Sequence, residues 1–150
     1  MRCLLVRHGT AAPSPDDRVR PLTPAGRAEV EATLRGLQAH GVHVAEIRHS
    51  GLARARETAE ILGASLSPPQ GIHATTGLGP EDDPAIAAAE LGLTAAPLML
   101  VGHLPHLARL TAALVGDAAT EAIHFAPATA VALRRRDDGW TLDLLVAPGG

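Results

Sequence analysis

At 150 residues the chain fits one domain, residues 1–150, and can bury about 70% of its unfolded surface around one core; 46% hydrophobic and 19% charged residues exclude wholesale disorder. A net charge of −3, with Phe125 and Trp140 as the only aromatics, offers nucleic acid neither general attraction nor stacking platforms. No stretch approaches the ~20 apolar residues of a membrane span, and the first residues lack a cationic segment leading into a long apolar run, so a soluble, cytoplasmic protein is expected.

The stretch MRCLLVRHGT organises the chain. Cys3 to Val6, with Arg2 at the rim, is an apolar run that ends in Arg7, His8 and Gly9. Such a run bounded by glycine suits a strand of a parallel sheet, and open α/β sheets bind ligands just beyond the carboxyl ends of such strands. There a guanidinium offers a planar fork matched to phosphate, and a neighbouring imidazole can attack or move protons at neutral pH. Cys3, the lone cysteine, leaves no intrachain disulfide possible and reads as a small core residue.

A polar loop rich in Pro and Asp follows, then Thr23-Pro24, an N-cap ahead of the residue favoured at the first helical position. The helix runs to a stop at Gly41, with Ala25, Ala28, Ala32, Val30, Leu34 and Leu37 as its apolar stripe, weakened by Gly26 and Gly36. Val42 to His49 reads as a second strand. Ser50-Gly51 ends it before a helix stopped by Gly63, and Arg54 falls in that helix's first turn, where free N–H groups already favour an anion. Arg56, two residues on, points elsewhere and reads as a surface ion pair with Glu57 or Glu60.

Residues 65–83 read as irregular, with a short strand near Ile72 to Thr75; loops of this length are often functional. Asp83-Pro84 opens a short helix, and PLMLVGH is a third apolar strand ending at Gly102-His103, followed by a helix from Leu104 to Val115 closed by Gly116. Alternation around Asp138-Gly139 signals a C-terminal hairpin, whose Arg134 to Arg136 read as a solvated, charge-balanced edge. Pro148-Gly149-Gly150 reads as a frayed tail. The expected architecture is α/β: a three-layer α/β/α sandwich with a mostly parallel central sheet and the hairpin at its edge. Three strands then deliver Arg7-His8, Ser50 with Arg54, and His103 to one place.

Assembled, these residues resemble the histidine phosphatase superfamily, the phosphoglycerate mutase-like enzymes named for an Arg-His-Gly motif. Arg7-His8-Gly9 follows the first strand, Ser50-Gly51-Leu52-Ala53-Arg54-Ala55 with Thr58-Ala59 matches the Ser-x-Leu-x-Arg-Ala-x-x-Thr-Ala element, and Gly102-His103 ends a later strand. Arg20-Pro21-Leu22-Thr23, Gly102-His103-Leu104-Pro105 and the small size are most similar to SixA-type phosphohistidine phosphatases.

The resemblance implies metal-independent catalysis without a cofactor: His8 attacks phosphorus in line, and water hydrolyses the phosphohistidine formed. Arg7, Arg54 and His103 would hold the phosphoryl oxygens, with Gly9, Arg20, Ser50 and Leu104 around the substrate. Arg20 either reaches the substrate or pairs with Asp16 or Asp17. The resemblance makes Glu81 the candidate proton donor, with Asp82 next, against the plainer reading of a solvated loop carboxylate. The implied partner is a phosphorylated protein or a small phosphorylated substrate, with no nucleic acid and no membrane.

Four other readings compete. A zinc site of His8, His103 and His106 with a carboxylate is opposed by the adjacent arginine charges and by a His103/His106 spacing outside the HExxH pattern. His106 reads as a polar residue near the pocket rim, and the remaining histidines as surface or strand-end residues. A phosphate-binding regulatory module would not need His8. A mutase is disfavoured because no long insertion is present to close a lid. The serious alternative is a phosphomonoesterase acting on a sugar or nucleotide phosphate.

Overall fold

In the computed structural model, which describes residues 2–149, the opening strand β1 (Arg2–Arg7) lies inside a six-stranded sheet. The other strands are β2 (Glu46–His49), β3 (Ile72–Ala74), β4 (Leu98–Gly102), β5 (Ala130–Arg136) and β6 (Gly139–Val146). Their order is β3-β2-β4-β1-β5-β6. The first four run parallel; β5 pairs antiparallel with β1, and β6 closes the hairpin at the sheet edge. Met1 and Gly150, the ends of the opening stretch and of the tail, lie outside the described residues.

Alternation along β1 builds two cores. Leu4 and Val6 face one side, packing with Leu34 and Leu37 of helix α1 (Pro24–Ala39) and Leu62 of α2 (Ala53–Leu66). Cys3 and Leu5 face the other, packing with Leu91 of α3 (Pro84–Leu93) and Leu107 and Leu110 of α4 (His106–Val115). A strand covered on both faces must be apolar throughout, which is why CLLV carries no alternation in its sequence. The result is the expected three-layer α/β/α sandwich. Burial pushes the Cys3 thiol up to about 12, as befits an inert core residue.

Two helices start as read. Thr23 accepts a hydrogen bond from Gly26 N–H, and Asp83 accepts one from Ala85 N–H ahead of Pro84. Several boundaries differ. The buried stripe of α1 is Gly26, Val30, Thr33, Leu34 and Leu37, while Ala25 and Ala28 are exposed. Gly26 is no weakness: a Cβ there would lie 2.1 Å from Thr10 O, so only glycine lets the loop after β1 cross the helix. Gly63 does not end α2, which continues to Leu66; a Cβ at Gly63 would lie 2.3 Å from Ile72 Cδ1, so its smallness admits β3.

The second strand starts at Glu46 rather than Val42. Val42 and Val44 are buried beneath α1, and pairing with β4 begins only at Glu46 opposite Leu98. α4 starts at His106 rather than Leu104, and a short helix α5 (Asp117–Glu121) follows it. In the hairpin Arg136 pairs with Gly139, so Asp137-Asp138 forms the turn and Gly139 (φ 143°) opens β6. Of its arginines Arg134 is charge-balanced as read, by Asp143, whereas Arg135 is half-buried, donating to Leu91 O and lying over the Trp140 ring. Among the described residues no helix is long and apolar enough to cross a membrane.

Candidate active site

Register assembles the site. In the parallel ladders Arg7 pairs with Gly102, and His49 with Val101, so β1, β2 and β4 end together at one sheet edge. The next residues, His8, Ser50 and His103, are thereby neighbours although far apart in sequence. His8 is locked from both sides of its backbone, donating its N–H to Gly102 O at 3.0 Å and accepting from Ala128 N–H at 3.1 Å.

The His8 side chain is fixed as well. Its Nδ1 lies 2.6 Å from Gly9 O. A carbonyl only accepts, so Nδ1 carries the proton and Nε2 presents a bare lone pair. Burial pushes the imidazole down to about 4; the Gly9 hydrogen bond opposes this, and the charges of Arg54, Arg7 and Arg20 reinforce it. His8 is therefore neutral at physiological pH, with the nitrogen opposite Nδ1 available.

Gly9 holds its carbonyl in place through its own contacts. Its N–H donates to Thr58 Oγ1 at 3.1 Å, while Thr58 donates to Arg54 O at 2.8 Å. A Cβ on Gly9 would lie 2.7 Å from Gly26 O, so the two glycines face each other across the α1 crossing. Glu29 of α1 fastens the following residue, accepting from Thr10 N–H and Oγ1, both at 2.9 Å.

Beside His8 stands His103, with ring centroids 4.9 Å apart and planes tilted by 54°. Burial first, then the charges of His8 and Arg54, push it down to about 3. Its Nε2 is 2.6 Å from Ser50 Oγ, which accepts from Leu52 N–H at 3.3 Å. Among the described residues His103 Nδ1 is buried without a partner, as is Arg7 Nε. Arg7 anchors its Nη1 on Phe125 O at 2.8 Å. Among the same residues His106 Nδ1 and Nε2 and Thr129 Oγ1 are likewise buried without a partner.

Arg54, buried in the first turn of α2, donates from Nη1 to Asp17 O at 2.9 Å and from Nη2 to Asp17 Oδ2 at 3.3 Å. Arg20 donates from Nη1 to Asp17 Oδ1 at 3.4 Å and from Nε to Ala12 O at 3.1 Å. Of its two readings, pairing with Asp17 is thus present, and its charge also acts on His8. Asp16 instead binds Arg18 and caps the 3-10 turn Asp17–Val19. Leu104 lies half-buried against the second core.

Glu81 stays outside this cluster. Its carboxylate is 79% exposed and lies 3.7 Å from Arg109 Nη1, while Asp82 accepts from Gly79 N–H at 2.7 Å. His106 is fully buried rather than at the rim, because it opens α4 beneath the second core. Arg56 pairs with Glu60 at 3.6 Å, as its helical spacing requires. A cleft of about 680 Å3 opens beside Ser50, walled by Leu52, Thr75, Gly77, Asp82 and Ile86. Asp17 and Glu29 were not singled out as site residues from the sequence. Asp17 carried a faint signal, two aspartates close before Arg20; Glu29 carried none beyond its place on α1.

Comparison with known proteins adds three findings. Residues 3–78 match the histidine phosphatase superfamily (branch 1). An uncharacterized protein of Picosynechococcus sp. is 41% identical over 116 residues, 71% of this chain and 68% of its own length. Among solved structures, the protein histidine phosphatase SixA complexed with tungstate superposes with a TM-score of 0.90 at 26% identity, over 99% of this chain and 98% of that chain. A candidate phosphohistidine phosphatase SixA from Agrobacterium tumefaciens gives 0.87 at 25% identity, over 98% and 97%.

Proposed function

Because the chain belongs to the histidine phosphatase superfamily and is SixA-like in fold, we propose that it is a metal-independent phosphatase that removes phosphoryl groups from protein phosphohistidine through His8. The observation that carries this reading is the hydrogen bond from His8 Nδ1 to Gly9 O, which leaves Nε2 unprotonated among three arginine charges. An unprotonated, oriented nitrogen is what an in-line attack on phosphorus requires.

In the first step the Nε2 lone pair forms a bond to phosphorus as the bond to the leaving group breaks. In the second, water attacks the phosphohistidine and releases inorganic phosphate. Arg7, Arg54 and His103 stabilise charge on the phosphoryl oxygens, which is the main task in phosphoryl transfer. Ser50 orients His103, and Gly9 with Thr58 orients His8. The SixA structure is a complex with tungstate, a tetrahedral stand-in for phosphate, which supports an oxyanion as the ligand of this fold.

A phosphohistidine substrate suits the remaining geometry. An imidazole leaves phosphorus with less help from a strong acid than an alkoxide does, and Glu81 stands in solvent beside Arg109. Hydrolysis of a small phosphomonoester is the second reading; Glu81 is then the donor to remove.

The test is hydrolysis of a phosphohistidine-bearing carrier protein beside a panel of phosphate monoesters, in chelator-containing buffer. Selective loss of phosphohistidine is expected. Monoester turnover alone would keep the family and move the substrate to a small metabolite.

A further inference from the structure

We propose that Asp17 makes the site selective for phosphoryl groups carried on a protonated imidazole, its carboxylate accepting a hydrogen bond from the distal ring N–H of the leaving group. This rests on the phosphohistidine reading above and names what would enforce it.

Arg54 is 6% exposed in its side chain, whereas Asp17, hydrogen-bonded to it, is 64% exposed. The carboxylate therefore caps the solvent side of a buried guanidinium, and Arg20 holds its other oxygen. In-line displacement sets the leaving group opposite the attacking atom. His8 lies at the protein end of that line, its backbone tied to β4 and to Ala128, so the leaving group lies on the solvent side. Asp17 is the carboxylate on that side bound directly to a site arginine.

A carboxylate beside a phosphoryl group is unfavourable for most substrates, because like charges repel. A phosphohistidine whose distal ring nitrogen is protonated reverses that sign. The groups facing Asp17 are Arg20 on its own segment, Arg54 from α2 and His103 after β4; neighbouring Arg18 is held by Asp16. The charge of Arg54, chiefly, holds the Asp17 carboxyl below the usual range, so it is ionised at neutral pH.

The step balances without an enzyme acid. His8 Nε2 forms its bond to phosphorus, and the substrate P–N bond breaks with its electron pair going to the departing nitrogen. The proton already on the distal nitrogen remains, so the ring departs as neutral imidazole. Asp17 favours the protonated, labile form of the substrate, and no donor has to reach the scissile bond.

The experiment measures kcat and kcat/KM of the full chain for a phosphohistidine carrier protein and for p-nitrophenyl phosphate, in wild type, Asp17→Asn and Asp17→Glu, across pH. In Asp17→Asn the ratio of phosphohistidine to monoester efficiency is expected to fall by about tenfold or more, the scale of one charge-assisted hydrogen bond. The alkaline limb of the kcat profile for phosphohistidine, which reports the ring nitrogen of the bound substrate, moves to lower pH, and Asp17→Glu recovers most of both effects. Equal losses on the two substrates with an unmoved limb would overturn the proposal, since Asp17 would then only hold Arg54. Wild type that turns over the monoester and not phosphohistidine would instead overturn the underlying reading, before any variant is compared.

Discussion

At the scale of single residues, the site depends on which nitrogen of one histidine is bare. Gly9 O fixes it, and burial keeps His8 neutral down to about pH 4. The acid limb of kcat/KM should therefore lie well below the ordinary histidine value of 6.5; a limb near 6.5 would mean that His8 is solvated and the arginine charges do not reach it. Arg54→Lys keeps the charge and loses the two-nitrogen fork that holds Asp17. A loss of about 10²–10³ in kcat/KM is expected, the usual effect of removing one preorganised donor, and near-normal activity would show that point charge suffices.

Arg7, His8, Arg54 and His103 were legible because each sits at a strand end or in a first helical turn, places where sequence pattern and chemistry coincide. Asp17 was not, because its role comes from a turn that folds its carboxylate back onto a helix 37 residues away. The resemblance points to Glu81, but its place in solvent against Arg109 is a tertiary contact that no local pattern encodes.

At the scale of elements, the crossing of the β1 loop over α1 matters most. Gly9 and Gly26 face each other there with no room for a Cβ on either, and Thr10 is clamped by Glu29. Propensity rules count Gly26 as a helix defect, so the sequence misleads here; the close approach that makes it necessary is a long-range contact. Gly26→Ala should lower the unfolding free energy measured in urea by the upper end of the about 1–3 kcal/mol typical of overpacking. Gly92→Ala in α3 meets nothing within 4 Å and should raise stability by about 0.5–1 kcal/mol through helix propensity. Shifts of the same sign in both variants would contradict the packing account.

Helix starts were readable from Thr23-Pro24 and Asp83-Pro84, since caps are local. The end of α2 was not. Gly63 resembles a stop signal, and what carries the helix past it is Ile72 of β3 packing against its missing side chain.

At the scale of the whole molecule, parallel register is what turns three separate motifs into one site, and the same burial couples the site to stability. His8 and His103 have folded values of about 4 and about 3 against 6.5 for a free histidine. Between those values the unfolded chain binds more protons, so stability rises with pH through that window and is lost as pH falls through it. Thermal unfolding should therefore move to lower temperature between pH 7 and pH 5. His8→Asn/His103→Asn should flatten that dependence; a slope unchanged in the double variant would place its origin elsewhere.

The central claim is that His8 itself carries the phosphoryl group. Rapid quenching of the enzyme during turnover of a phosphohistidine carrier, in chelator, followed by mass-spectrometric mapping under alkaline conditions, tests it directly. The account predicts an acid-labile phosphoramidate on His8 in wild type, with no label and no turnover in His8→Ala. Label on another residue, or turnover persisting in His8→Ala, would contradict it.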